Sequence, residues 1–407
     1  MINIDLDRSE KYILGCSFGP DSMCLFDLLK KNKIAFVVAH VNYHIISNAN
    51  EDEKKLKDYC KSNNIEIYIK ELSYDSKKDG NEENWAREKR YNYFNEVANN
   101  LGIENLLIAH QLDDSIETYI LQKERNNYVS YYGLNSCYKK GNLYYIRPLL
   151  LYRKKELQKY CDDNKIPYSI DYSNFNTKYK RNKIRREIIS QMNDEEIQKI
   201  VNTIKEANLG KELQKLRLSK YFKNDFIDFN SVSNLSDEDF QAVIYNFIEN
   251  KSYFVTLSLR FLLDFKEKCL KSTQGPFKAK IKQKFLEYSY GKIYFYSKVI
   301  KYEEKISENN ESNIFKINTK SPLFIKYKLV FPLFIKPVEK NESVLVDGHY
   351  KKISRCFIDW KVPLHLRSVW PGIYNEKGEL LYVPRYQENH KENNESLLNF
   401  NSNNLFF

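Results

Sequence analysis

Short apolar runs alternate with helical patterns through the first third of the chain. Residues 12–16 read as a buried strand, and residues 35–41 (AFVVAHV) as a second, β-branched one. Residues 23–31 and 51–62 carry helical spacing, and residues 66–72 alternate like a strand. Residues 83–101 predict a long helix with Ala86, Tyr93, Val97 and Leu101 on one face. Residues 105–109 read as another short strand. This alternation predicts an α/β fold, a doubly wound parallel sheet covered on both faces by helices. Ligands of such sheets bind beyond the carboxyl ends of the strands, so the loops that follow strands are where chemistry is expected.

Helical spacing continues from about residue 154, through a basic stretch at 178–186, and across residues 194–272. Residues 277–297 turn aromatic and alternating, as strands do. Residues 303–312 (EEKISENNES) read as a linker, and residues 314–386 as a smaller β-rich piece. From residue 391 the chain is rich in Asn and Ser, the composition of a disordered tail. The expected division is a catalytic domain at 1–192, a mainly helical domain at 193–300, a small mixed α/β domain at 314–390 and a tail at 391–407.

Composition changes this picture in three ways. With 407 residues the chain is too long for one ordinary core. A net charge of +11 favours a polyanionic partner, because Lys and Arg neutralise phosphates. The bias towards Lys, Asn, Ile, Tyr and Phe that an AT-rich genome imposes produces a similar surplus without any partner. Seven cysteines occur without a CxxC pair, which argues against a zinc ribbon or redox pair and fits a reduced compartment. The opening MINIDLD is too acidic for a signal peptide, and no apolar run nears the ~20 residues of a membrane span. The expectation is a soluble cytoplasmic protein.

Four groups of residues carry candidate chemistry. Ser17, Phe18, Gly19, Pro20, Asp21 and Ser22 follow a strand and open a helix, where backbone N–H groups converge on a phosphate. Asp21 is placed to hold Mg²⁺ beside that phosphate. An ordinary capped turn has the same local pattern. His110, Asp113, Asp114 and Glu117 crowd the loop after residues 105–109. Three carboxylates repel one another unless a metal ion or an ammonium group joins them. Read structurally, Asp114 and Glu117 would form a capping box. Asn84, Arg87 and Arg90 lie on the long helix, and arginines three apart share a face and can clamp phosphates. Lys178, Lys180, Arg181, Lys183, Arg185 and Arg186 surround Tyr179 and Asn182, a basic cluster suited to RNA or simply to water.

Together these residues resemble a family. SFGPDS stands where N-type ATP pyrophosphatases carry an SGGxDS loop, a moderately specific sign. AHVNYHIISNANEDE, NEENWAREKRY, AHQLDDSIET, RPLL and the segment IDYSNFNTKYKRNKIRREII follow in order. This set resembles the tRNA(Ile)-lysidine synthetase family, and CFIDWKVPLHLRSVWPGIYNEKGELLYVPRY is similar to its last domain. The resemblance is weakest between about residues 193 and 277. It implies a PP-loop ATP pyrophosphatase domain of the adenine nucleotide alpha hydrolase-like type. It also implies ATP, Mg²⁺, free L-lysine and an isoleucine tRNA with a CAU anticodon, and it leaves room for a homodimer.

Carried onto this chain, the resemblance puts ATP on residues 17–22 with its base near His40 and Asn42, and gives His110 the orientation of its loop. Asp21 and Asp113 are the expected metal residues. Asp114 and Glu117 are expected to hold the lysine ammonium, and Arg87 the phosphates. Arg90, Lys178, Lys180, Arg181, Asn182, Arg185 and Arg186 are expected on the tRNA, with Lys351, Lys352, Lys361 and Arg367 on its acceptor stem. Phe18 departs from the family's glycine. Gly19 is read as carrying the tighter constraint, with Phe18 turned away from ATP.

Three rivals remain. A tRNA thiolase would need paired cysteines, and a small-molecule amidotransferase-type synthetase would not need the RNKIR segment or the basic later half. An RNA-binding protein with a decayed ATP site would have no reason to keep every charged group named above.

Overall fold

The computed structural model describes residues 2–45, 48–75, 79, 81–170, 180–251, 255–271, 275–297, 302–307, 314–346, 348–386 and 397–400. The chain divides into two compact units, Met1–Gln214 and Lys215–Phe407. Among the described residues no helix is long and apolar enough to cross a membrane.

The first unit is the expected doubly wound sheet. Its elements are β1 (Lys11–Gly15), α1 (Pro20–Lys31), β2 (Ala35–Asn42), α2 (Ala49–Ser62), β3 (Ile67–Glu71), α3 (Glu82–Leu101), β4 (Asn105–Ile108) and α4 (Leu112–Glu124). They are followed by β5 (Cys137–Lys140), β6 (Leu143–Ile146), α5 (Lys154–Asp163), α6 (Lys180–Glu187) and α7 (Asp194–Leu218). The sheet order is β3-β2-β1-β4-β6-β5, parallel except for the β5–β6 hairpin. That hairpin was not expected from the sequence.

One face of the sheet packs on α1, α2 and α5 through Met23, Leu25, Leu56, Leu157 and Cys161. The other face packs on α3 through Tyr93, Phe94, Val97 and Ala98. At the end of β1, a Cβ on Gly15 would lie 2.8 Å from the Phe94 ring, so only glycine lets α3 approach this closely. Asn81 caps α3 by accepting from the backbone N–H of Asn84, and Gly102 ends it in the left-handed region.

The second unit begins mainly helical, with Asp237–Asn250 buried on nearly all sides from Phe240 to Ile248 and Leu259–Leu270 buried along one face. An antiparallel sheet holds Phe226–Asp228, Lys292–Ser297, Lys284–Ser289 and Phe277–Ile281 in that order. A second sheet orders Glu304–Ile306, Leu333–Pro337, Pro371–Tyr374 and Leu380–Tyr382. Its first strand falls inside the stretch read as a linker. There Ile306 turns into the core while the charged residues beside it mask the strand signal. Leu398–Phe400, within the stretch read as tail, pair with Phe315–Ile317 because Leu397 and Leu398 are buried.

Candidate active site

The strand order reverses between β1 and β4, and a crevice at such a switch point binds ligands in open α/β sheets. Residues 16–19 leave the sheet on one side of it, and residues 109–111 on the other. The two sequence motifs with the most chemistry therefore meet at one edge.

The first loop is tied from within. Ser22 is buried; its hydroxyl accepts from the Ser17 N–H at 3.3 Å and donates to the Gly19 carbonyl at 3.0 Å. Pro20 opens α1, where its missing N–H costs nothing. The left-handed residue is Phe18, at φ 62, and not Gly19, at φ −80. That corrects the reading that Gly19 bears the tighter constraint. A Cβ on Gly19 would meet only Ser17 Oγ, at 3.5 Å. Phe18 holds its costly conformation because its ring, 2% exposed, lies in the core. Its backbone is further held by the Ser169 N–H on its carbonyl, 2.9 Å. The loop therefore holds a positive φ at a residue that is not glycine.

Asp21 faces the same crevice. Burial raises its carboxyl to about 7, Lys154 and Arg185 pull it down, and Asp114 and Asp113 push it up. Its Oδ1 is buried without a hydrogen-bond partner. An orphaned carboxylate oxygen beside a phosphate loop fits a hard cation such as Mg²⁺.

The carboxylates of α4 have divided tasks. Gln111 accepts from the Asp113 N–H at 2.5 Å, and Asp114 accepts from the Gln111 N–H at 3.1 Å. The capping box is thus Gln111 with Asp114, three residues before the expected Asp114 with Glu117. Asp113 spends both oxygens on α5, accepting from Arg153 Nε at 2.5 Å and from the Lys154 N–H at 2.9 Å. It anchors the loop, which leaves Asp21 as the carboxylate with an oxygen to spare for metal.

Asp114 and Glu117 share one cation. Arg185 donates from NH2 to Asp114 Oδ1 at 2.8 Å and from Nε to Glu117 Oε2 at 2.5 Å. Arg181 Nε lies 3.2 Å from Glu117 Oε1. Glu117 is 1% exposed, and burial raises its pKa although Arg185 and Arg181 pull the other way. Ile184 explains the placement. It is buried between Arg181 and Arg185 and packs with Ile116 and Leu121 of α4, so α6 turns both guanidinium groups inward. Arg181 and Arg185, expected on RNA, belong to this pocket. Lys180 pairs with Glu124 at 2.7 Å, Arg186 is exposed, Asn182 lies on α6, and Lys178 and Tyr179 fall outside the described residues.

His110 is the second hub. Arg147, the residue after β6, donates from Nε to His110 Nδ1 at 2.9 Å. Burial holds the imidazole well below its ordinary pKa, helped by Arg147, Arg87, Arg90 and Arg181. Arg87 lies over the Tyr91 ring and Arg90 over Tyr43, whose hydroxyl accepts from Arg90 Nε at 3.0 Å. Both arginines are exposed on α3, and their charge is felt at His110.

His40 and Asn42 do less than expected. His40 Nδ1 donates to the Cys16 carbonyl at 2.8 Å, and burial lowers its pKa. Asn42 is fully engaged with Asn50, Glu53 and the His44 N–H, so it binds α2 to the sheet. In the second unit, Lys351 pairs with Asp359, and Arg367 bonds the Val362 carbonyl and the Tyr290 hydroxyl. Lys352 stands just before the helix Ile353–Asp359 without a side-chain capping bond, and Lys361 has a left-handed backbone. Arg147 and Arg153 were assigned no role from sequence. The available signal was position, since each stands just past a strand end or at a helix start on the ligand edge.

Comparison with known proteins identifies the domain and the family. Residues 2–192 match the PP-loop domain family. The tRNA(Ile)-lysidine synthase of Mycoplasma mycoides is 31% identical over 403 residues, covering 93% of this chain and 97% of that one. That of Mesoplasma florum is 36% identical over 257 residues, covering 61% and 63%. The Staphylococcus aureus (strain COL) enzyme of the same name is 29% identical over 411 residues, covering 91% and 92%. The alignment with the Mycoplasma protein runs through both compact units, and the chain belongs to the tRNA(Ile)-lysidine synthase family.

Proposed function

We propose that this protein is an ATP-dependent ligase that joins free L-lysine to C2 of the wobble cytidine of an isoleucine tRNA with a CAU anticodon. The supporting observation is the pair Asp114 and Glu117, bridged by one guanidinium at the switch point beside the phosphate loop. Two neighbouring carboxylates, here met by the guanidinium groups of Arg185 and Arg181, suit the ammonium of lysine. A carboxylate offers about four lone-pair sites, so the substrate amine can join Arg185 there.

ATP lies across residues 17–22, with Arg87 and Arg90 on its phosphates. The cytidine O2 attacks the α-phosphate and pyrophosphate leaves, so that O2 becomes the leaving group of an adenylated base. Asp21, with its orphaned Oδ1, would hold Mg²⁺, which neutralises phosphate charge when bound. The lysine ε-amine, with an ordinary pKa of ~10.4, must lose a proton before it attacks C2 and expels AMP. Glu117, its affinity for protons raised by burial, accepts that proton better than an ordinary carboxylate. Residues 1–192 make the catalytic domain. Regions 193–300 and 314–390, with Lys180 and Arg186, grip the tRNA by its shape and backbone.

The test is incubation with ATP, Mg²⁺, labelled lysine and an isoleucine tRNA bearing CAU. Label in that tRNA alone, with one AMP per lysine, is expected. Pyrophosphate without label would overturn the lysine assignment, and no ATP turnover would overturn the reaction.

A further inference from the structure

His110 and His40 stand near the same crevice in opposite tautomers. The partner of His40 Nδ1 is a carbonyl, so that nitrogen carries the proton. The partner of His110 Nδ1 is an N–H of Arg147, a group with donors and no acceptor, so that nitrogen is bare. The proton of His110 is thereby sent to Nε2. Arg147 is itself fixed: it is 5% exposed, donates from NH1 to the Asn135 carbonyl at 2.5 Å, and lies over the Tyr138 ring at 4.9 Å. It cannot turn away without leaving buried donors unpaired.

The surroundings say what the Nε2–H meets. Arg87 and Arg90 from α3, Arg181 from α6 and Arg147 from the end of β6 all bear on the ring. Arg147 touches the imidazole, and the positive charge of all four guanidinium groups disfavours a second proton there and favours an anion. A neutral histidine there donates one hydrogen bond and accepts no proton at Nε2.

We infer that Arg147 is a positioning residue that locks His110 in the Nε2–H tautomer, so that His110 serves the ATP phosphates as a neutral donor and not as a base. The inference deepens the ATP-dependent reading and rests on it for the identity of the anion. A preset neutral donor gains more from charge that builds up in the reaction than from the ground state.

Nitrogen-15 spectra of histidine-labelled full-length protein separate bare from protonated ring nitrogens, and loss of one pair of signals in His110→Gln identifies His110. A bare Nδ1 and protonated Nε2 are expected in the wild type. A proton on Nδ1 would overturn the inference, whatever the activity. Arg147→Met should release the ring to a mixture of tautomers and lower kcat for pyrophosphate release by about 10²-fold, as loss of one such donor does. The KM for ATP and the affinity for tRNA should change by less than about threefold, a split that general misfolding would not produce. Arg147→Lys, which keeps a donor, should restore part of the rate. In His110→Gln, whose amide can donate from the place of Nε2 without help, adding Arg147→Met should cost little more. Full activity in folded Arg147→Met, or costs that simply multiply in the double variant, would overturn the coupling. If the Arg147 variants fail to fold, the wild-type tautomer decides. A wild type that turns over no ATP but shows the expected tautomer would instead sink the reaction and leave the Arg147–His110 lock standing.

Discussion

Glu117 in the first compact unit and Glu287 in the second are both buried, and the two fare oppositely. Glu117 ends with a raised pKa and Glu287 with a lowered one. Burial pushes both up. Around Glu287, His365 and the hydroxyls of Ser289 and Tyr296 outweigh it. The backbone N–H groups of Leu364 and His365 also donate to Glu287, at 2.8 and 2.9 Å, so a helix start is pinned to a sheet strand. Around Glu117 the donors are side chains of the short helix α6, and Arg181 and Arg185 remain 41% and 34% exposed. Fixed donors make a carboxylate a staple. Long, part-exposed donors leave it able to take another cation, and this distinguishes a site from a joint.

Asp114→Asn should strike hardest at this contrast. Lysine transfer should fall by about 10³-fold or more, with tRNA affinity nearly intact and stability moved by less than about 1 kcal/mol. A large loss of tRNA binding would mean that the α4 carboxylates are a joint after all. Glu287→Ala should do the reverse. Stranding a histidine and two backbone donors should cost about 3–5 kcal/mol in urea unfolding of the second unit. A cost below about 1 kcal/mol would remove its claim to be a staple.

Phe18→Gly is a finer probe. Losing a buried ring costs about 3–5 kcal/mol, offset by about 1–2 kcal/mol for relief of the left-handed backbone. A net loss of about 2 kcal/mol is expected on those two scales, with the KM for ATP within a few-fold. A gain in stability would show that the ring contributes little to the core.

The pH response should be smallest and opposite in the two units. Glu287 has a depressed folded pKa, so its stabilisation is complete above the ordinary glutamate value of ~4.3 and is lost as pH falls through the folded value. Glu117 has a raised one, so its folded state loses stability as pH rises through that value. Acid unfolding followed in Glu287→Gln should lose the first dependence alone. An unchanged acid limb would assign it to other groups.

Much of the fold was legible because the signals are local. Periodicity located β1, β2, α3 and β4 within a few residues, and the order of strands and helices implied the parallel sheet. The hairpin β5–β6 escaped because β5 is half charged and short, and its pairing partner, not its own pattern, makes it a strand. In the candidate site, charged residue types marked loops that the fold brings together, but partners could not be read. Residue type alone makes Asp113 a candidate for metal and Arg185 for RNA, whereas α5 occupies both oxygens of Asp113 and Ile184 turns Arg185 inward.

The sequence by itself determined the class of fold, the edge of the sheet where chemistry sits and the residues that crowd there, since spacing and residue type act over a turn or a strand. Only the tertiary structure decided what each charge meets. Asp113 becomes an anchor and Asp114 the partner of a guanidinium through donors brought from 40 and 71 residues away. Those donors are placed by burial of apolar neighbours such as Ile184 and Phe18, and the hydrophobic effect that buries them has no direction of its own.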